Sequence, residues 1–336
     1  MSTADLDADV LIVGAGPSGL FASYYAGLRE LSVVLLDSLP EPGGQLMALY
    51  PQKPVYDVAG LPEVTGAALT EALVTQAEVA APTWVLGEQA TTLDRNPAGG
   101  ERRFTVTTGS GRRVHADGVV VAAGIGSFRP RRLDAAEPHL GRGVSYSLGD
   151  LTDYHARDVV IVGGGDSAVD WSLMVAPVAR SLTVVHRRRT LRAHARSVSR
   201  LQQTDARIIL DADVVATHGA GRLEAVTVRR RDGDEQQLPT DALIAALGHT
   251  ADLGPLASWG FELTGRQIVV DERMSTTVPG VYAIGDVTAH PGKVRIMAVG
   301  FGEAATAINN LAAALRPGEA VFPGHSTELM DAARIA

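Results

Sequence analysis

Two glycine-rich turns of one design, Gly14-Ala15-Gly16-Pro17-Ser18-Gly19 and Gly163-Gly164-Gly165-Asp166-Ser167-Ala168, each follow an apolar run and open a helix-like stretch. In such a turn the first glycine permits a tight bend, the second lets backbone approach a pyrophosphate, and the third lets helix and strand pack closely. Ala168 is a tolerated third member. Two copies imply two bound dinucleotides on one chain, and hence an electron relay in which a nicotinamide gives a hydride to a flavin.

The copies differ 23 residues after their first glycine. There the first has Asp37, closing the run Val33-Val34-Leu35-Leu36, where a carboxylate can accept hydrogen bonds from ribose hydroxyls. That end suits the unphosphorylated ribose of FAD. The second copy has His186, followed by Arg187, Arg188 and Arg189, with Arg192 close behind. A guanidinium cluster in place of a carboxylate favours a 2′-phosphate, and therefore NADPH over NADH.

The elements that must position these residues can be read from the apolar pattern. Residues 8 to 13 read as a buried strand, 17 to 30 as a helix and 32 to 37 as the next strand, the βαβ unit that the first turn needs. A helix near 66 to 80 and strand-like segments at 103 to 108 and 118 to 123 follow, and Asn96-Pro97-Ala98-Gly99-Gly100 reads as a hairpin turn. The second βαβ unit occupies 157 to 186, with strands at 207 to 210, 223 to 230 and 241 to 247. Val281-Tyr282-Ala283-Ile284-Gly285-Asp286 reads as a strand ending in a Gly-Asp pair, and 297 to 313 as a helix opening at Met297. The fold class is α/β, with two Rossmann-like domains of three-layer ββα type, the second inserted in the first. The expected boundaries are 1–123 and 248–316 for the FAD domain, 124–247 for the NADPH domain, and a tail at 317–336.

At 336 residues the chain is long enough for about two domains. Its longest apolar runs are strand-sized, far below the roughly 20 residues that span a bilayer, so no membrane segment is expected. The first residues are acidic where a secretory peptide would be basic, which points to the cytoplasm. A net charge of −8 argues against a nucleic-acid partner, and no metal site is expected. The cysteine count is zero, so the common route from flavin to a Cys-x-x-Cys pair is closed and electrons must leave the flavin directly.

Several further stretches are distinctive: Gly43-Gly44-Gln45-Leu46, Leu49-Tyr50-Pro51-Gln52-Lys53 with Tyr56-Asp57-Val58-Ala59-Gly60, His186-Arg187-Arg188 with Arg192-Ala193-His194, Gly300-Phe301-Gly302-Glu303-Ala304, and the tail His325-Ser326-Thr327. With them the chain resembles, over nearly its whole length, the ferredoxin–NADP⁺ reductases of thioredoxin-reductase type. The resemblance implies a homodimeric FAD enzyme moving electrons between NADPH and ferredoxin, an acidic iron–sulfur protein. It implies that Tyr50 stacks on one face of the flavin ring and His325 on the other, with Ser326 and Thr327 beside it in the tail that covers the flavin. It also places Gly44, Gln45, Leu46, Asp57, Ala123 and Gly124 at the flavin. Asp286 has its own physical reading, since a carboxylate just after glycine at a strand end can bond ribityl hydroxyls. The helix opening at Met297 would aim its N-terminus at the pyrimidine edge, where reduced flavin carries negative charge.

This chain departs from the resembled pattern at Arg189, Leu191 and Ala195, where an acidic residue, a phenylalanine and a glutamate are usual. Arg187, Arg188 and Arg192 remain, so the NADPH preference stands. Only Lys53 and Lys293 are lysines, so any ferredoxin-docking surface must be built of arginine. Two alternatives stay open: an NADPH-dependent flavoenzyme acting on a small organic substrate, and a nonenzymatic flavin- and NADPH-responsive binding module.

Overall fold

The computed structural model describes residues 4–49, 51–96 and 102–328. The chain divides into two units, 1–127 with 251–336, and 128–250. The chain passes between them at 127/128 and 250/251, a few residues beyond Gly124 and Gly248. Both of those glycines have positive φ and turn the chain. The segments Ser127–Pro130 and His249–Asp252 then pair with each other.

In the first unit the strand Leu6–Val13 lies between Val33–Asp37 and Arg113–Val121, parallel to both, and Thr83–Leu86 extends the sheet beyond Val33–Asp37. Val10, Leu11, Ile12, Leu35, Leu36 and Val119 to Val121 are all buried, the continuous apolar run of parallel strands covered on both faces. Arg113–Val121 serves two layers. Its first half pairs antiparallel with Phe104–Thr108, which in turn pairs with Ala90–Arg95, and its last residues pair in parallel with Val281–Ala283. This strand begins earlier than its apolar run, because Arg113 to Gly118 pair as a meander while only Val119 to Val121 are buried on both faces.

Helix α1, Pro17–Leu28, begins at an extended Gly16 with Pro17 in its first turn, where a missing N–H costs no hydrogen bond. Helix α2 covers Gln45–Leu49. Helix α3, Gly66–Ala77, is capped by Thr65, whose Oγ1 accepts from the Ala68 N–H at 3.2 Å.

The second unit holds a five-stranded parallel sheet in the order Val144–Ser145, Ala242–Ala245, Asp158–Val162, Ser181–His186, Arg207–Leu210. An antiparallel sheet of Ala212–His218, Ala225–Arg230 and Glu235–Pro239 accompanies it. Helix α4 is Asp166–Val175 and helix α5 is Ala195–Leu201. Back in the first unit, helix α6, Met297–Leu315, buries Gly300, Glu303, Ala304, Ala307, Ile308 and Leu311 at helical spacing and packs against α1. Gly118 makes room for it, since a Cβ there would stand 2.3 Å from Leu311 Cδ1. Among the described residues, no helix is long and apolar enough to cross a membrane.

Candidate functional site

The first glycine turn is built as its residue types require. Gly14 has φ +115°, and a Cβ there would meet the Ala122 carbonyl oxygen at 2.3 Å. A Cβ on Gly19 would lie 1.8 Å from the Gly14 oxygen. Gly16 is different: among the described residues a Cβ there would meet only the Gly44 Cα, at 4.0 Å, so the turn stays open at its middle glycine. The Gly43 N–H donates to the Ala15 carbonyl at 2.8 Å, joining the second loop to the turn. Gly124, at φ +60°, lies against the Gln45 side chain. Leu46 and Ala123 are partly buried against the core beside this loop.

Asp37 closes its strand with a buried carboxylate that accepts from the Ala15 N–H at 2.6 Å and the Leu39 N–H at 2.8 Å. Burial pushes its pKa above the usual carboxylate value, against the pull of those backbone N–H groups. The carboxylate therefore braces the glycine turn, and each oxygen keeps lone-pair capacity for a ribose hydroxyl.

On the same unit Ser18 lies between Gly285 and Gly300. A Cβ on Gly285 would come within 2.9 Å of Ser18 Oγ, and one on Gly300 within 2.3 Å. This brings the start of α1, the Gly285-Asp286 loop and the first turn of α6 together. Asp286 is half-buried, with no hydrogen-bond partner among the described residues. Helix α6 opens at Met297 without a side-chain cap and without an acidic residue in its first turn, so its N-terminus is available to an anion.

The remaining flavin candidates stand apart from this group in the described contacts. Tyr50 lies outside the described residues. Asp57 is exposed. His325, Ser326 and Thr327 are exposed, and the His325 ring packs edge-on against Phe322 at 5.4 Å while the His325 backbone N–H donates to Glu328.

The second glycine turn repeats the first in outline. A Cβ on Gly163 would lie 2.3 Å from the Ala246 oxygen, whereas Gly165 has nothing within 4 Å. Ala168 is buried beneath it, and Asp166 and Ser167 begin α4. The arginine segment is tied back to this turn: the Arg192 N–H donates to the Gly164 carbonyl at 2.6 Å, and the His194 N–H to Asp166 Oδ1 at 2.9 Å.

His186 packs its ring directly on Gly164, where a Cβ would come within 2.4 Å of the imidazole. The ring is buried, and Nε2 has no partner among the described residues. Burial, with Arg187 and Arg192 nearby, lowers its proton affinity below the usual histidine value, while a hydrogen bond from the ring to the Thr190 backbone and the charge of Asp213 oppose the shift. His186 is thus a neutral platform under the turn.

Arg187, Arg188 and Arg192 are exposed and carry no ion pair among the described residues. Arg189 is committed to Asp211 at 3.2 Å. The departures from the resembled pattern also find places. Leu191 packs with Val169, Val184 and Leu201, and Ala195 opens α5 behind the His194 cap. Among the described residues no cluster of acidic or histidine side chains could hold a metal.

Sequence reasoning missed two arrangements. Glu303 is buried in α6 with Lys293 and His290 on its carboxylate. Arg29, at the end of α1, is buried and binds Glu319, Asn309 and the carbonyls of Ala320 and Val321. A glutamate within the apolar stripe of α6 was the one available signal for the first.

Two glycine turns, one in each of two Rossmann-type units, the first followed by a carboxylate at a strand end and the second by guanidinium groups, define a two-dinucleotide oxidoreductase. A sequence profile described as pyridine nucleotide-disulphide oxidoreductase matches residues 8–310, and the chain belongs to this family, among the ferredoxin–NADP reductases of thioredoxin-reductase architecture. A ferredoxin–NADP reductase of Saccharopolyspora erythraea is 51% identical over 326 residues, covering 96% of this chain and 98% of the relative. One from Thermus thermophilus is 45% identical, covering 95% and 96%. Among solved structures, T. acidophilum thioredoxin reductase superposes with a TM-score of 0.76 at 26% identity, covering 93% of this chain and 99% of that one.

Proposed function

We propose that the protein is an FAD-dependent oxidoreductase that moves electrons between NADPH and ferredoxin, or a similar one-electron iron–sulfur acceptor. The observation that carries this reading is the pair of open glycine turns with differently charged strand ends, Asp37 in one and, in the other, Arg187, Arg188 and Arg192, which carry no ion pair among the described residues. The curated relatives' name supports ferredoxin as the partner. FAD would be held by Gly14 to Gly19, Gly44 to Leu46, Asp37, Gly124, Asp286 and the N-terminus of α6. NADPH would be held by Gly163 to Ala168 and the three arginines. When bound, the flavin accepts a hydride from the nicotinamide and passes electrons on singly.

The chain's own residues align and select. The arginines distinguish the phosphorylated ribose, Asp37 the bare one, and the helix N-terminus favours negative charge at the reduced cofactor. With no cysteine in the sequence, no disulfide intervenes. The same reading includes a homodimer in the cytoplasm, domain boundaries near 123 and 248, and a tail whose His325, Ser326 and Thr327 cover the flavin opposite Tyr50.

The test is NADPH-driven cytochrome c reduction by the purified yellow protein, with and without a low-potential ferredoxin. Stimulation by ferredoxin that weakens with added salt is expected. Flavin bleaching by NADPH with no ferredoxin stimulation would move the reading to a small-molecule substrate, and no bleaching at all to a nonenzymatic module.

A further inference from the structure

Glu303 is a buried carboxylate on α6, and its two oxygens do different work. Oε2 accepts the Gly285 N–H at 2.7 Å. Oε1 accepts from Lys293 Nζ at 2.5 Å and from His290 Nε2 at 3.1 Å. The Lys293 side chain is itself only 7% exposed, so the pair is a desolvated ion pair rather than a surface one.

The group that Glu303 holds is the backbone N–H of Gly285, the residue immediately before Asp286. Gly285 sits at φ +75° with Ser18 against it, and its carbonyl accepts the Thr288 hydroxyl at 2.8 Å. Its backbone is thus fixed at both ends, and Asp286 has one direction in which to leave. We propose that Glu303, clamped by Lys293 and His290, is the positioning residue that aims Asp286 at the flavin. The proposal rests on the flavin reading of Asp286.

Removing the glutamate alone would leave the Lys293 amine buried without a counter-ion, so paired substitutions test the idea. K293M/E303Q removes both charges and keeps an acceptor for the Gly285 N–H, whereas K293M/E303L has similar shape and no acceptor. FAD affinity of each holoprotein is followed by cofactor fluorescence on release, beside its melting temperature. The Gln pair should hold FAD within about threefold of the parent and the Leu pair roughly tenfold more weakly, the loss expected for a stranded buried donor. In a D286N background the Leu pair should cause no additional loss, because the effect runs through Asp286. Equal affinity of the Gln and Leu pairs, or a loss that persists undiminished with D286N, overturns the positioning role and leaves the flavin reading intact. FAD binding unchanged by D286N alone overturns both.

Discussion

At the scale of single residues, the second nucleotide turn separates its arginines by what they already bind. Arg189 is paired with Asp211, while Arg187, Arg188 and Arg192 carry no ion pair among the described residues and lie on the segment anchored to Gly164 and Asp166. Hydrogen bonds to charged groups contribute about 1.5–3 kcal/mol each, so Arg187→Ala with Arg188→Ala should raise the NADPH Michaelis constant by roughly 100-fold or more and leave NADH turnover little changed. Steady-state kinetics with both nucleotides decide it; equal losses would remove the 2′-phosphate assignment. His186 makes a different prediction. Its folded value lies below the ordinary 6.5, so the folded state binds the proton less readily than the unfolded chain. The stability this provides is complete above pH 6.5 and is lost as pH falls through the folded value. His186→Phe keeps a ring on Gly164 and removes the titration. Its melting temperature should therefore fall less than the parent's between about pH 7.5 and about pH 5.5, a gap worth at most about 1.4 kcal/mol per pH unit. Parallel pH profiles would show that the ring does not stay neutral.

At the scale of elements, α1 and α6 are joined through Arg29 to the segment that follows them. Arg29 donates to Glu319, Asn309 and two carbonyls, and Arg316 returns two bonds to the carbonyls of Arg29 and Glu30. Arg29→Met removes four side-chain hydrogen bonds of a buried guanidinium at once and should cost about 3 kcal/mol or more, with protease cleavage appearing between Arg316 and Glu328. Glu319→Ala removes only a half-exposed partner and should cost less than about 1 kcal/mol. Denaturant unfolding with mass spectrometry of the fragments separates the two, and similar losses would mean that Arg29 is not the anchor. Little of this clamp was legible beforehand. The βαβ units could be read because buried parallel strands are written as unbroken apolar runs beside glycine turns. The contacts of Arg29 join residues 280 to 292 positions apart, where no local pattern marks a pair, and those of Glu303 are marked only by a glutamate standing in the apolar stripe of α6. Arg113 to Asp117 escaped for another reason: a half-exposed meander strand hides beside the stronger run at Val119. The burial of His186 was equally hidden, since it depends on the missing Cβ of Gly164.

At the scale of the whole molecule, the charge distribution bears on how an acidic partner could be met by a protein of net charge −8. Overall repulsion must be overcome by local positive potential, and local fields are screened within roughly 10 Å at moderate salt. Lysine cannot supply that field, because the chain has only Lys53 and Lys293 and the second is buried against Glu303. Guanidinium groups must carry it. Acetylation of lysines, which removes their charge, should therefore leave ferredoxin-dependent turnover nearly unchanged, while an arginine-directed reagent applied with the nucleotide site protected by 2′,5′-ADP should abolish most of it. Turnover with ferredoxin should also fall severalfold between low salt and about 0.5 M, through association rather than chemistry. NADPH reduction of a small neutral quinone should change little over the same range. Loss of ferredoxin turnover on lysine acetylation, or equal salt dependence with both acceptors, would contradict an arginine-built docking surface.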